Sequence, residues 1–190
     1  MGIQMKRQEP IDEEDILRRC RSGEREAFAV LVDRYGSMAY TVAYRLVGDA
    51  DAANDLAQEG FIAAYQNLRQ FRAGSRFSTW LCSIVLNRCR DHLRAAKRMT
   101  ALDAVPDLRA NYGKDPAEAA STEETHSSLQ RALDELPPEY REVLVLKHIE
   151  GRSYAELSEM LGMPVGALKV RAHRGRALLR DILERAGVAP

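Results

Sequence analysis

An all-α chain of two small helical domains joined by a flexible acidic linker is predicted by three features of the sequence. Apolar residues recur every three or four positions through most of it, the spacing of a helix that buries one face. No run alternates apolar and polar residues as a half-buried strand does. Residues 99–126 lose the apolar stripe and hold Pro106, Gly113 and Pro116 among small and acidic residues, which reads as a linker rather than a third domain. At 190 residues the chain has room for one ordinary domain or two small ones, and this gap selects two, over residues 12–98 and 127–186.

The first helical segment, residues 12–21, starts with acids and ends with arginines, the polarity that a helix dipole favours, and Ser22-Gly23 stops it. Residues 27–47 repeat Phe28, Leu31, Val32, Tyr35, Met38, Ala39, Val42 and Leu46 at helical spacing until Gly48-Asp49 breaks the pattern. Residues 50–68 follow, with Leu56, Phe61, Ala64 and Leu68 as core positions. A loop from Phe71 to Ser75, containing Gly74, precedes a fourth helix over 78–97. Beyond the linker, residues 127–136, 139–149, 154–161 and 165–186 read as helices separated by Pro137-Pro138, Gly151-Arg152 and Gly162-Met163-Pro164.

Hydrophobic residues make up 45% and charged residues 29%, the balance of a folded, water-soluble protein. No run of about 18 apolar residues exists and the amino terminus is polar, so neither secretion nor membrane insertion is expected, and the cytoplasm is the expected location. Cys20, Cys82 and Cys89 form an odd, sparse set without a CxxC pair, suggesting neither a disulfide framework nor a metal site, and no cofactor is expected. Cys82 and Cys89 share a helix face with Leu81, Val85, Leu86 and Leu93; buried thiols are preferred there over a redox switch.

Formal net charge is zero, yet the charges are segregated. Between Arg72 and Arg98, the cations Arg72, Arg76, Arg88, Arg90, Arg94, Lys97 and Arg98 face only Asp91. Between Pro164 and Arg180, Lys169, Arg171, Arg174, Arg176 and Arg180 face no acid. The stretch between these blocks carries Asp103, Asp107, Asp115, Glu118, Glu123 and Glu124. Two basic patches on separate units are implied.

In the second unit, Tyr154, Leu157 and Leu161 form a stripe, Gly162 can end a helix in the left-handed conformation, and Pro164 suits the first turn of the next. This is helix-turn-helix grammar. Leu168, Ala172, Gly175 and Leu179 share the inward face of the last helix, while Lys169, Val170, His173 and Arg174 point outward near its start, flanked by Arg171, Arg176 and Arg180. Base-edge donors beside phosphate-binding cations are what a DNA reader needs; the alternative is a solvated basic face.

In the first unit, a helical wheel puts the only tryptophan, Trp80, within about 80° of Ser83, Asn87, Arg90, Asp91 and Arg94. An aromatic beside amides and arginines suits unpaired bases, which offer a stacking face and a phosphate; a core residue at the helix start is the other reading. Asn87 can pair with a base edge or be simply exposed. The loop Phe71-Arg72-Ala73-Gly74-Ser75-Arg76 is either a pocket wall or a connector.

Several strings carry a family likeness: Asp55-Leu56-Ala57-Gln58-Glu59, Phe77-Ser78-Thr79-Trp80-Leu81, Asn87, and Pro164-Val165-Gly166-Ala167-Leu168-Lys169 with Arg171, His173, Arg174 and Arg176. Together they resemble the extracytoplasmic-function (ECF) sigma factors, the smallest members of the sigma-70 family. The resemblance spans residues 12–183 and implies a sigma region 2 over 12–98, a linker over 99–126 and a sigma region 4 over 127–186. It implies a non-enzymatic, stress-responsive transcription initiation factor, monomeric when free, that binds the beta-prime coiled coil and beta flap of RNA polymerase core, binds promoter DNA and is held by an anti-sigma factor.

By the same resemblance Asp55, Gln58 and Glu59 dock on the polymerase coiled coil, and their carboxylate and amide groups, one turn apart, suit an acidic ridge better than the alternative of a solvated polar face. Arg72, Ser75, Arg76, Trp80, Asn87, Arg90 and Arg94 would capture the minus ten element, with Asn87 on a flipped base. Lys169, Val170, Arg171, His173, Arg174 and Arg176 would read the minus thirty-five element. Val170 departs from the serine of many relatives, Ala172 from a larger aliphatic, Gly175 from alanine and Asn54 from an acid. The rival reading is a helix-turn-helix repressor or activator acting without replacing sigma, but the first unit resembles neither a dimerisation nor a ligand domain.

Overall fold

The computed structural model describes residues 12–72, 74–102 and 122–187, and every regular element among them is helical. In order they are α1 (Glu13–Arg21), α2 (Arg25–Val47), α3 (Ala50–Gln66), a 3-10 turn (Leu68–Gln70), α4 (Phe77–Leu102), α5 (Thr122–Glu135), α6 (Pro138–Leu144) continued by a π-helical turn (Val145–Ile149), α7 (Tyr154–Leu161) and α8 (Val165–Arg185). The acidic linker expected over 99–126 lies, from 103 to 121, outside the described residues. Its two ends are helical, because α4 runs on to Leu102 and α5 starts at Thr122 rather than near 127. The single helix expected over 139–149 is an α-helix whose last five residues widen into the π-helical turn.

Local chemistry sets the boundaries. Asp12 accepts from the Glu14 N–H to start α1, and Asp49 accepts from the Ala52 N–H at 2.7 Å to start α3. Ser153 and Glu156 form a reciprocal capping box at α7, with the Ser153 N–H donating to Glu156 Oε2 at 2.8 Å.

α1 to α4 pack around Ile16, Leu31, Leu46, Phe77, Leu81, Val85 and Leu86, all essentially inaccessible to solvent. Burying such a side chain contributes about 1.5–3 kcal/mol each. Phe28, Phe61, Phe71 and Phe77 meet edge to face with ring centres 5.9–6.4 Å apart. α5 to α8 pack around Leu133, Leu136, Val143, Leu144, Leu146, Leu157 and Leu168, which extend the same core.

The two bundles pack on each other: α2 lies against α5, α6 and the π-helical turn, and α4 against α7. The buried apolar residues of the two bundles form one continuous cluster, and polar side chains cross the seam beside it. Arg141, largely buried, donates from Nη1 to the Leu46 carbonyl at 2.6 Å and from Nη2 to the Asp134 and Leu136 carbonyls at 2.7 and 3.3 Å. It thereby caps the carboxy ends of α2 and α5 at once, where unpaired carbonyls and the helix dipole favour a cation. Arg45 reaches Gln130 at 3.2 Å from the other side.

Candidate nucleic-acid interface

α7 and α8 meet through Gly162, whose φ of 64° is left-handed, and Pro164, whose φ of −59° is ready for the next helix. The Ser158 hydroxyl donates to the Met163 carbonyl at 2.6 Å and stiffens that turn. Leu168, Ala172 and Gly175 are buried as the sequence predicts, with Gly175 against Tyr140 and Leu144 of α6, and Leu179 is half-buried. Lys169, Val170, His173, Arg174 and Arg176 are exposed and Arg171 is half-buried. Val170 shows 51% of its surface to solvent, which is high for a valine and puts a bare methyl pair at the centre of the basic row. Arg176 lies 3.3 Å from His148 Nε2, and burial, helped by the cations Arg176 and Lys147, holds that imidazole below its ordinary value.

On the first bundle, Arg72, Ser75, Arg76, Asn87 and Arg94 are exposed along the loop and the α4 face. Ala73 lies outside the described residues. Trp80 is half-buried, its ring 5.3 Å from Phe71 and 5.8 Å from Phe77, so it packs on the aromatic core while keeping part of its surface accessible. Arg90 differs from the other candidates: its Nε and Nη2 donate to Glu142 Oε1 and Oε2 at 2.8 and 2.7 Å, a forked ion pair across the seam. Arg94 pairs with exposed Asp91, at 3.3 Å, among the described residues.

Asp55, Gln58 and Glu59 are all exposed on α3, opposite buried Leu56, Ala57, Gly60 and Phe61. The same outer surface carries Ile62, 57% exposed, and Tyr65, 38% exposed. Sequence reasoning overlooked this apolar pair. Its signal was an isoleucine and a tyrosine at helical spacing from Gln58 on the face that should have been polar throughout.

Cys82 and Cys89 are buried as expected, and desolvation pushes both thiols up to about 12. No helix among the described residues is long and apolar enough to cross a membrane.

Comparison with known proteins places these surfaces in a common frame. Residues 31–99 match the family model described as Sigma-70 region 2, and residues 126–179 match Sigma-70, region 4. The ECF RNA polymerase sigma factor SigW of Bacillus subtilis is 37% identical over 178 residues, covering 88% of this chain and 94% of its own length. The RNA polymerase sigma-H factor of Pseudomonas aeruginosa is 32% identical over 181 residues, 90% of this chain and 94% of its own. Among solved structures, the sigma factor RpoE in complex with the anti-sigma factor NepR from Bartonella quintana superposes with a TM-score of 0.71 at 25% identity, covering 83% of this chain and 96% of that one. CnrH in complex with the cytosolic domain of CnrY superposes with a TM-score of 0.66 at 29% identity, covering 90% and 96%.

The last of these corrects the location expected from composition. A partner described by its cytosolic domain has a part elsewhere, and a chain held by such a partner is not placed by its own lack of an apolar segment. The plain cytoplasmic assignment is therefore withdrawn.

Proposed function

The chain belongs to the ECF RNA polymerase sigma factors of the sigma-70 family, and on that premise we propose how its exposed surfaces divide the work of promoter-specific transcription initiation. A sigma factor is a specificity subunit and not an enzyme, so each surface acts by binding.

The α3 ridge of Asp55, Gln58 and Glu59 docks on the beta-prime coiled coil of the polymerase core, its carboxylates meeting a basic helix pair and Ile62 and Tyr65 supplying the apolar contact that charge alone does not. The second bundle, residues 127–186, meets the beta flap. On the first bundle, residues 12–98, Asn87 reads an unstacked base of the minus ten element, half-buried Trp80 contacts it beside that residue, Ser75 lines the approach, and Arg72, Arg76, Arg90 and Arg94 hold phosphates. On α8, Lys169, Val170, His173 and Arg174 face the base edges of the minus thirty-five element while Arg171 and Arg176 hold the backbone. Val170 favours a thymine methyl where a hydroxyl would have sought a hydrogen bond. An anti-sigma factor holds the solved RpoE relative, and in this chain the surfaces named above are the ones such a factor would cover.

The observation that carries this reading is the sidedness of α8, with Leu168, Ala172 and Gly175 buried and a cationic row free of acids on the opposite face. Run-off transcription with core RNA polymerase on a library of promoter fragments tests it. Discrete transcripts that start only when the chain is added are expected; an unchanged or reduced transcript pattern with active core overturns the reading in favour of a repressor.

A further inference from the structure

The two ends of α1 hold the two ends of the loop that leads into α4. Arg21, the last residue of α1, donates from Nη2 to the Phe71 carbonyl at 2.6 Å and sets its guanidinium 5.8 Å from the centre of the Phe71 ring. Glu13, the first, accepts the Phe77 N–H on Oε1 at 3.3 Å. That N–H is one of the orphan donors at the start of α4, where a carboxylate also suits the helix dipole. The other Glu13 oxygen takes the Tyr35 hydroxyl and lies 3.9 Å from Arg34 Nη1, so α2 fixes the carboxylate in turn. Seating α1 does not depend on either contact, because Ile16, Leu17 and Cys20 are buried along its inner face. What the pair governs is the chain between the two phenylalanines. Phe71 and Phe77 meet edge to face with ring centres 5.9 Å apart, and Trp80 packs on both.

We propose that Glu13 and Arg21 are positioning residues for the minus ten element, gripping the backbone on either side of Arg72, Ser75 and Arg76 so that these side chains and Trp80 are presented in one arrangement. The proposal rests on the reading of that loop and of α4 as the single-strand site given above. Binding groups select between ligands only when the residues behind them hold their geometry to about 0.5 Å, and helices do this better than loops. Arg72, Ser75 and Arg76 are exposed, so their placement is inherited from the anchored residues that flank them. The two anchors differ in kind: a carbonyl needs a donor and an N–H needs an acceptor. Exchanging the two side chains, Glu13→Arg with Arg21→Glu, keeps the net charge yet cannot restore what either single change removes. An effect of overall charge would vanish in that pair, and an effect of position persists.

Trp80 is the only tryptophan of the chain, so its emission reads the aromatic nest directly. Full-length Glu13→Ala, Arg21→Ala and the exchanged pair are compared with wild type by Trp80 emission and acrylamide quenching, with circular dichroism as the check on folding. Run-off transcription with core RNA polymerase follows, on the promoter fragment that the wild-type chain uses best and on its single-base variants in each element. All three are expected to shift Trp80 emission and raise its quenching at unchanged helicity. At the minus ten element the preference for the best base is expected to fall about threefold or more, from the about five- to about hundredfold of an intact base contact. Preferences at the minus thirty-five element are expected to stay as in wild type. Glu13→Gln, which keeps an acceptor for the Phe77 N–H, is expected to restore both readouts. Trp80 emission unmoved by both alanine variants, or a uniform loss of transcription with every base preference intact, overturns the proposal and leaves α1 a purely structural helix. A wild-type chain that starts no promoter-specific transcript, while Trp80 still responds to both variants, overturns the function proposed for the surfaces and leaves the anchoring of the loop standing.

Discussion

Val85 of α4 leaves no space for a side chain at Gly60 of α3: a β-carbon there would lie 2.6 Å from Val85 Cγ2. Both residues are buried, and valine is stiff at χ1, so the methyl cannot swing aside. Gly60→Ala is expected to destabilise the chain by about 1–3 kcal/mol through overpacking, although alanine is the better helix former by about 1 kcal/mol. Adding Val85→Ala returns part of that loss, so urea unfolding should show the double variant more stable than the sum of the two singles. Additive losses would mean that the helices shift apart freely.

The acid limb of stability should carry a contribution from Glu156. Hydrogen bonds from the Ser153 backbone N–H and hydroxyl, then from Thr79, with Arg152 nearby, lower its carboxyl from 4.5 to about 2. A carboxylate that ionises more easily in the folded chain contributes stability that is complete above the unfolded value and is lost as pH falls through the folded one. Urea titrations across that window should show the gap between wild type and Glu156→Gln closing between about 4.5 and about 2. A gap independent of pH would show that the carboxylate is not ionised preferentially in the fold.

Cys82 and Cys89, raised to about 12 by burial, should be silent toward Ellman's reagent at neutral pH in the native state and react at once in denaturant. Rapid native labelling of either would contradict the packing of α4.

The α3 ridge makes a prediction that separates charge from contact. Asp55→Lys and Glu59→Lys should leave unfolding within about 0.5 kcal/mol of wild type, since all these side chains are exposed. Each should weaken core binding about tenfold at low salt in competition with another sigma factor, and less at high salt. Ile62→Ala should weaken it at either salt concentration, because an apolar contact is not screened. Core affinity unchanged in all three would remove the ridge from the interface.

Much of this was legible in the chain because apolar periodicity reports directly on burial. The inward face of α8, the breaks at Gly48 and Gly162, and the burial of both α4 thiols follow from spacing alone. What periodicity does not report is which polar residue leaves the solvent. Arg45, Arg141 and Arg152 are buried although nothing in the apolar pattern marks them, and Arg90 read as one more arginine on a basic face although its partner lies 52 positions away. Contacts of that range depend on how two finished bundles meet. Trp80 was undecided on the wheel because the loop before α4 brings Phe71 against it, a neighbour from outside the helix. The π-helical turn left no trace either, since the one residue it adds to a turn falls at the end of a short, almost wholly apolar run where a phase shift cannot be read.

Arg141 gives the molecule a history that its two bundles alone would not. Its guanidinium finishes one helix in each half, so the residue at that position answers to both. A hybrid gene joining the first half of one relative to the second half of another would be accepted where the incoming second half also brings an arginine there. Otherwise the Leu46 carbonyl near the end of α2 loses its guanidinium donor. Recombination at the central segment is therefore not free, and descent should carry the halves together as a matched pair.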